Sequence, residues 1–449
     1  MPQLILRQFV LGYLLLLGCS HILHAQNYDP KAKEYTIRGQ QDLLEHQYER
    51  AYKQFDRALD FAPTYTPAMH GMAAANELLG RFAEAVGWYD RVLVKDPRYS
   101  RILFFEAGRV HFNVGNYQKA LDLFYEFLAL QELPPTEFGL LGETELAVEQ
   151  TYLAEVHQMM NACRLASDLD QFKTIRSIQN IGPTINTEAD EYFPYLTNDQ
   201  NLLFYTRRAD RFSDEDLFYS SSIDMGWQTG QSVSSNFNSP KNEGMSTLIQ
   251  NGKKMFFTAC NRKAVKGPCD IWEATLDGHA LRQIHELPGD LNSDSWESQA
   301  SISCDGTTLF FSSNRPGGEG GTDIWVSTLD ENGLWSEPLN LGNNVNTTAD
   351  EEAPFITNDG ETLYFSSTGH TCLGEQDIFM SRKGEDGKWS KPVNLGPPVN
   401  SSYRELGFFL SADGRKGYFA SDRDGGQGGM DIYQFELPQE LIARPITFV

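Results

Sequence analysis

Five glutamates, Glu191, Glu243, Glu297, Glu351 and Glu405, recur at near-equal spacing along the C-terminal part of the chain. Carboxylates gathered at one mouth of a ring can do three kinds of work. Two or three in different surroundings can serve as acid, base and nucleophile in glycoside hydrolysis. Five together set up a negative potential over the funnel they encircle. Or each can serve its own repeat, capping a turn or pairing with a basic residue of the neighbouring repeat. Near-identical copies favour the last reading, because hydrolysis needs carboxyls whose pKa values are pushed apart. On that reading, Glu→Gln at any copy costs a similar and modest amount of stability.

Other chemistry-bearing residues follow the same repeat. Arg208, Arg262, Arg315 and Arg423 share one loop position, which Gly369-His370 fills in the fourth copy. They are expected to pair with the aspartates of a recurring Asp-Ile-Trp motif. Gly317, Gly318, Gly320 and Gly321 lie between two strands, not between a strand and a helix, and read as turn glycines and not as a phosphate loop. Trp227, Trp335 and Trp389 open each fourth strand and read as packing residues. The chain holds no Gly-x-Ser-x-Gly, no His-Glu-x-x-His and no Cys-x-x-Cys, and no cofactor is required. Cys260 and Cys269 bracket one loop between two strands, which suits a disulfide in an oxidising compartment. A zinc site is the rival use, though that loop offers no histidine. Cys163, Cys304 and Cys372 have no evident partner by position.

The elements that position these residues are read from four markers in one register. The motif aspartates Asp216, Asp270, Asp323, Asp377 and Asp431 fall 54, 53, 54 and 54 positions apart. A turn pair stands before each: Asp199-Gln200, Asn251-Gly252, Asp305-Gly306, Asp359-Gly360 and Asp413-Gly414. Each glutamate precedes its turn by eight residues, and Asn186, Asn238, Asn292, Asn346 and Asn400 precede the glutamates by five. In the copy from Glu351, strands are predicted at 353–357, 362–367, 377–381 and 389–395, with a hairpin turn at 358–361. Four antiparallel strands per period make a propeller blade. The fifth copy has no fourth strand after Tyr433. The stretch Asn180-Ile181-Gly182-Pro183-Thr184-Ile185-Asn186 matches the end of one, Asn394-Leu395-Gly396-Pro397-Pro398-Val399-Asn400. The segment from Ile175 to Ile181 is therefore expected to complete the last blade and close a ring of five.

Upstream the period is helical. Ala51 with Phe55, Ala85 with Tyr89 and Ala120 with Phe124 repeat an Ala-x-x-x-aromatic pair one helical turn long. Gly39, Ala73 and Gly108 stand twelve positions before each alanine, and Pro63 and Pro97 close two of the units. Residues 27–135 thus resemble three tetratricopeptide repeats, with 136–171 as capping and connecting helices and 172–449 as the propeller. The fold class expected is α+β multidomain: an N-terminal α-solenoid followed by a five-bladed all-β propeller.

The formal charge of -24, from 61 acidic and 37 basic side chains, excludes a nucleic-acid partner, whose backbone demands a basic face. Residues 1–25 read as an export signal, with Arg7 before the apolar run Phe9 to Leu17. Two processing sites stay open: cleavage after Ala25, or lipidation of Cys19 within Leu16-Leu17-Gly18-Cys19. Phe310-Phe311-Ser312-Ser313-Asn314-Arg315-Pro316-Gly317-Gly318 through Trp325, echoed from Phe419 to Tyr433, resembles the WD-like, TolB-type propeller repeat of bacterial envelope proteins. Tetratricopeptide repeats joined to such a propeller are similar to a family of Gram-negative periplasmic proteins, some tied to type IX secretion and gliding. Relatives of that kind often carry an OmpA-like C-terminal domain that this sequence lacks. The resemblance implies a non-catalytic scaffold in the periplasm or on the periplasmic face of the outer membrane, with envelope proteins or peptides as partners. Contact with a membrane is expected only through a lipid at Cys19. A glycan-binding or glycoside-cleaving propeller is the alternative.

Overall fold

The computed structural model describes residues 29–140, 143–168, 178–210, 212–223, 226–233, 237–249, 252–262, 266–423 and 425–437. The signal segment, Ala25 and Cys19 lie outside these residues. The chain divides into two compact units, 1–168 and 169–449.

The first unit holds three helix hairpins: α1 (Pro30–Leu44) with α2 (Tyr48–Phe61), α3 (Thr66–Leu78) with α4 (Phe82–Lys95), and α5 (Leu103–Asn113) with α6 (Tyr117–Ala129). Asp29 caps α1 through its carboxylate, which accepts from the Lys31 N–H at 2.8 Å, and Pro30 opens the first turn. The repeated small and aromatic residues mesh. A Cβ on Gly39 would sit 2.8 Å from the Phe55 ring, and one on Gly108 would sit 2.6 Å from Phe124. The absent side chain is what lets each aromatic seat against the facing helix. A long α7 (Glu143–Asp168) then covers the last hairpin, with Tyr152 stacked on Phe105 at 4.2 Å between ring centroids.

Polar residues tie these helices together as well. His70 meets Glu106 at 2.9 Å, Arg109 meets Glu77 at 2.7 Å and Arg101 meets Glu149 at 2.6 Å, all largely out of water. Glu145 accepts a hydrogen bond from Ser100 beside this layer. Burial, reinforced by the nearby Glu106 and Glu149 carboxylates against the pull of Ser100 and Arg101, pushes the Glu145 carboxyl up to about 8. The folded chain therefore keeps this proton at pH values where the unfolded chain has lost it. Stability from this group is full at acid pH and is lost as pH rises from the ordinary carboxyl range toward 8. The melting temperature of the helical unit is expected to fall across that window, and Glu145→Gln to flatten the fall. An unchanged pH slope in Glu145→Gln would remove Glu145 as its source.

The second unit is five antiparallel sheets. Blade one has strands at Asp190–Leu196, Leu202–Arg208 and Glu215–Ile223, the last pairing with both Gly226–Trp227 and Gln231–Ser232. Blade two runs Glu243–Leu248, Lys254–Cys260, Cys269–Asp277 and Ala280–Glu286. Blade three runs Glu297–Ile302, Thr308–Ser313, Asp323–Thr328 and Leu339–Asn340, and blade four Glu351–Ile356, Thr362–Ser367, Asp377–Arg382 and Val393–Asn394. Blade five takes Glu405–Leu410, Lys416–Ser421 and Asp431–Glu436 from the C-terminal side and Gln179–Asn180 from the N-terminal side. Gln179 pairs with Gln434 and Asn180 with Tyr433, so the ring closes as the sequence predicts; residues 175–177 of the expected closing segment lie outside those described.

The outermost strands of blades three and four are shorter than expected, two residues each. Pro338 and Pro392 supply no N–H to a ladder, and the tryptophans before them turn inward instead. Trp335 packs edge-on to Phe256 of blade two, and Trp389 edge-on to Phe310 of blade three. The apolar cores accordingly lie between adjacent blades, each wedge joining the outer strands of one blade to the face of the next.

Where the fourth strand gives out, an asparagine stands in for it. Asn346 Oδ1 accepts from the Ile324 N–H at 2.8 Å, and its Nδ2 donates to the Ile324 carbonyl at 3.0 Å. Asn238, Asn292 and Asn400 do the same for Leu217, Ile271 and Ile378. At the seam, Asn186 holds Ile432 by the same two bonds at 2.9 and 2.8 Å.

Candidate functional site

The five glutamates begin the innermost strands and are fully buried. They do not line an open funnel mouth with free carboxylates. The residue after each repeated asparagine turns back on the glutamate four positions on. Thr187 donates its N–H and hydroxyl to Glu191 at 2.9 and 2.7 Å, and Ser293 donates likewise to Glu297 at 2.8 and 2.6 Å. Ser239, Thr347 and Ser401 repeat the pair of bonds to Glu243, Glu351 and Glu405. Burial raises the Glu191 and Glu351 carboxyls, and the bonds from Thr187 in one and from Ser367 and Thr347 in the other pull them back down. The hydroxyl residue was available in the sequence as Asn-[Ser/Thr]-x-x-x-Glu in all five copies, and reasoning from the glutamates alone passed over it.

A cation completes the cluster in four blades. Arg207 meets Glu191 at 2.7 Å, Arg262 meets Glu243 at 3.0 Å, Arg315 meets Glu297 at 2.9 Å and Arg423 meets Glu405 at 3.0 Å. Each guanidinium also bonds the backbone carbonyl before the repeated asparagine, that of Ile185, Phe237, Leu291 or Val399. In blade four His370 bonds the matching Val345 carbonyl at 2.8 Å, and Ser367 gives Glu351 its further partner at 2.7 Å. Two expectations are corrected here. The arginines pair with the glutamates of their own blades, not with the motif aspartates or the neighbouring blade. In blade one the residue in this position is Arg207, while Arg208 turns the other way to Asp190 at 2.8 Å.

The motif aspartates are bound to backbone instead. Asp377 accepts from the N–H groups of Leu373 and Gly374 at 2.6 and 3.1 Å and from Asn394 at 2.6 Å, and Asp431 is held in the same way by Gln427, Gly428 and Asn180. Asp216 of blade one departs: among the described residues its carboxylate accepts no hydrogen bond. Burial, with Glu243 and Asp214 nearby, raises its pKa. The glycines are not all turn residues either. Gly317 takes the left-handed conformation at φ 92°, but Gly320 is there for close approach. A Cβ on it would lie 2.3 Å from the Thr347 carbonyl of blade four, and one on Gly428 would lie 2.0 Å from the Ala189 carbonyl of blade one. Each such loop presses its backbone onto the next blade's turn.

On the axis, the innermost strands bulge two residues after each glutamate. Phe193, Met245, Gln299, Ala353 and Gly407 all have positive φ, between 30° and 70°. Three of the bulge N–H groups are taken up by a neighbouring blade: Met245 donates to Thr206 Oγ1 at 2.9 Å, Gln299 to Thr258 Oγ1 at 3.1 Å and Ala353 to Gln299 Oε1 at 2.8 Å. The strands converge on a void of only about 20 Å³, walled by Phe193, Tyr195, Met245, Phe355, Phe408 and Phe409. That space admits a single water at most. Apolar side chains from all five blades close the axis at this level.

Cys260 and Cys269 face each other as a register pair at the ends of two blade-two strands, Cα atoms 3.9 Å apart and sulfurs joined. Peptide mapping of the protein without reductant is expected to find them linked, and reduction to cost about 2–3 kcal/mol of propeller stability. Two free thiols in freshly isolated material would overturn this.

No protein-family model matches the chain, and no curated protein matches it. Among solved structures it is similar to TolB from Acinetobacter baumannii, with 15% identity and a TM-score of 0.33 over 56% of this chain and 55% of that one. The chain thus spans about half the length of that TolB structure. An α-L-arabinofuranosidase from Lactobacillus brevis is similar over 58% of this chain and 94% of its own, with 13% identity and a TM-score of 0.40. The Sgt2 TPR domain from Aspergillus fumigatus is similar over 29% of this chain and 82% of its own, with 17% identity and a TM-score of 0.24. By its own geometry the chain is a tetratricopeptide-type helical array followed by a five-bladed propeller.

Proposed function

We propose that this protein is a non-catalytic scaffold of the bacterial cell envelope, exported by residues 1–25. Its helical groove and propeller face bind other envelope proteins or peptides, within a secretion or envelope-assembly complex. The observation that carries the reading is the use made of the carboxylates. All five repeated glutamates are buried and committed to a turn, with a basic partner completing four of the clusters. A glycosidase would need two of them exposed to substrate in unlike surroundings. Periplasmic placement and a lipid at Cys19 or a cut after Ala25 belong to the same proposal, and mass spectrometry of the processed N-terminus distinguishes the two.

The glycan reading retains one specific foothold, Asp216, whose half-buried carboxyl has a raised pKa and accepts no hydrogen bond among the described residues. The test is hydrolysis of a glycoside panel by the full chain, beside Asp216→Asn and the five Glu→Gln variants. No hydrolysis by any of them is expected. Turnover by the parent that is lost at Asp216 or at two of the glutamates would replace the scaffold with an enzyme.

A further inference from the structure

The helical unit carries a groove of about 630 Å³ between α2 and α4. It exists because both helices of the first hairpin rest on α3, α2 more extensively than α1, whereas α2 and α4 hardly touch. The floor is apolar, made by Leu59, Met69 and the face of Trp88. The walls are charged and of opposite sign. Asp56 and Asp60, one turn apart on α2, form one wall, and Arg91 and Lys95, one turn apart on α4, form the other. Because the repeat is 34 residues and the two pairs are offset by 35, the acids and bases stand at nearly the same level on neighbouring helices. The Arg91 guanidinium lies 4.4 Å from the centre of the Trp88 ring, and Lys95 reaches Thr66 Oγ1 at 3.3 Å.

Nothing in the repeat requires this pattern. The positions equivalent to Trp88 are Gln54 and Leu123, and those equivalent to Arg91 and Lys95 in the third repeat are Glu126 and Leu130. The counterpart of Asp56 in the second repeat, Asp90, is engaged by His111 at 3.1 Å. Asp56 and Asp60 are exposed and take no partner among the described residues. Here the symmetry of the array is broken, with an aromatic floor and two unlike edges.

We infer that this groove docks a short amphipathic helix of a partner protein, with an apolar ridge on Trp88, basic residues along one edge and acidic residues along the other. The inference rests on the scaffold reading above and names the chemistry of one of its partners. A helix laid along the groove presents edge charges every fourth residue, the spacing of Asp56 with Asp60 and of Arg91 with Lys95. From Trp88 to Lys95 the wall is about 10 Å long, so two turns of such a helix fill it. The charges project to solvent at the rim, where they select and orient a partner, while the aromatic floor supplies most of the affinity.

The experiment uses the full chain and three labelled 14-residue helical peptides with the same leucine ridge. One has a lysine edge and a glutamate edge, one has lysine on both and one glutamate on both. By fluorescence anisotropy the mixed peptide is expected to bind saturably and about tenfold tighter than either single-sign peptide, with the difference shrinking as salt rises. Trp88→Ala is expected to weaken it at least about tenfold. Arg91→Glu with Lys95→Glu should switch preference to the all-lysine peptide, and Asp56→Lys with Asp60→Lys to the all-glutamate one. Melting curves check that these surface variants stay folded. No saturable binding of the mixed peptide, equal binding of all three, or preferences that ignore the charge swaps would overturn the inference. Full competition by the free dipeptide lysyl-glutamate would also overturn it, in favour of a small zwitterionic ligand. None of these outcomes bears on glycoside hydrolysis, so the scaffold reading stands or falls separately.

Discussion

Deleting residues 172 to 182 is expected to abolish the cooperative melting of the propeller while leaving the helical unit's far-ultraviolet signal. The deletion removes Gln179 and Asn180, the only strand that completes blade five among the described residues. It also removes the Ile181 N–H that bonds the Ile432 carbonyl at 3.1 Å and the Asn180 amide that holds Asp431 at 2.8 Å. Blade five is left with a naked outer edge that pairs with the same edge of another molecule. Soluble yield should fall, and the remaining protein should elute as aggregate. A gentler variant separates seam chemistry from lost chain. Asn186→Leu strands the buried Ile432 N–H while the Ile432 carbonyl keeps its bond from the Ile181 N–H, for about 1–3 kcal/mol. A monomeric deletion protein with an unshifted propeller transition would show that closure is not what holds the ring.

The second large effect concerns the glutamate clusters, and it is unequal between blades. Glu→Gln at 191, 243, 297 or 405 strands an arginine that is itself mostly buried, with side-chain exposures of 18%, 16%, 7% and 15%. Breaking a buried pair by removing one member costs about 3–5 kcal/mol, because the other charge stays desolvated. Glu351→Gln breaks no such pair, since His370 bonds a carbonyl there, and the loss should be about 1 kcal/mol. The sequence alone predicts five equal, modest losses. Melting temperature across the five variants decides, with four large shifts and one small one expected. Five equal shifts would mean that the arginines contribute nothing through these pairs. Replacing both members of one pair, Glu297→Leu with Arg315→Met, should be milder than either single change.

Much of the architecture was legible because it repeats. Five copies of Asn, Glu, turn and Asp in one register define the blades, and the unmatched ends of the array define the seam. What escaped is what depends on the direction a side chain takes. Arg207 and Arg208 are adjacent on a strand and so point to opposite faces, and spacing alone does not say which faces Glu191. The arginines stand much closer in sequence to the motif aspartates than to the glutamates, yet hairpin register brings the glutamates alongside. The axial bulges left no residue signal at all: Phe193, Met245, Gln299, Ala353 and Gly407 share a conformation and no chemistry. The groove at Trp88 draws its walls from two repeats, and only packing sets them face to face.

The seam also fixes an order of events in time. Asn180 and Asp431 are 251 residues apart, and the bond between them is part of what makes blade five whole. While the chain is being made from its N-terminus, the closing strand emerges ahead of every other propeller strand, and Asp431 beside its partner follows only 251 residues later. Four blades can form their hairpins locally in the interval, but the first strand has nowhere to go until residue 434 arrives. Every chain therefore passes through an open ring with one orphan strand and one unfinished blade, and a chaperone that shields Gln179 to Ile181 would act on that state alone.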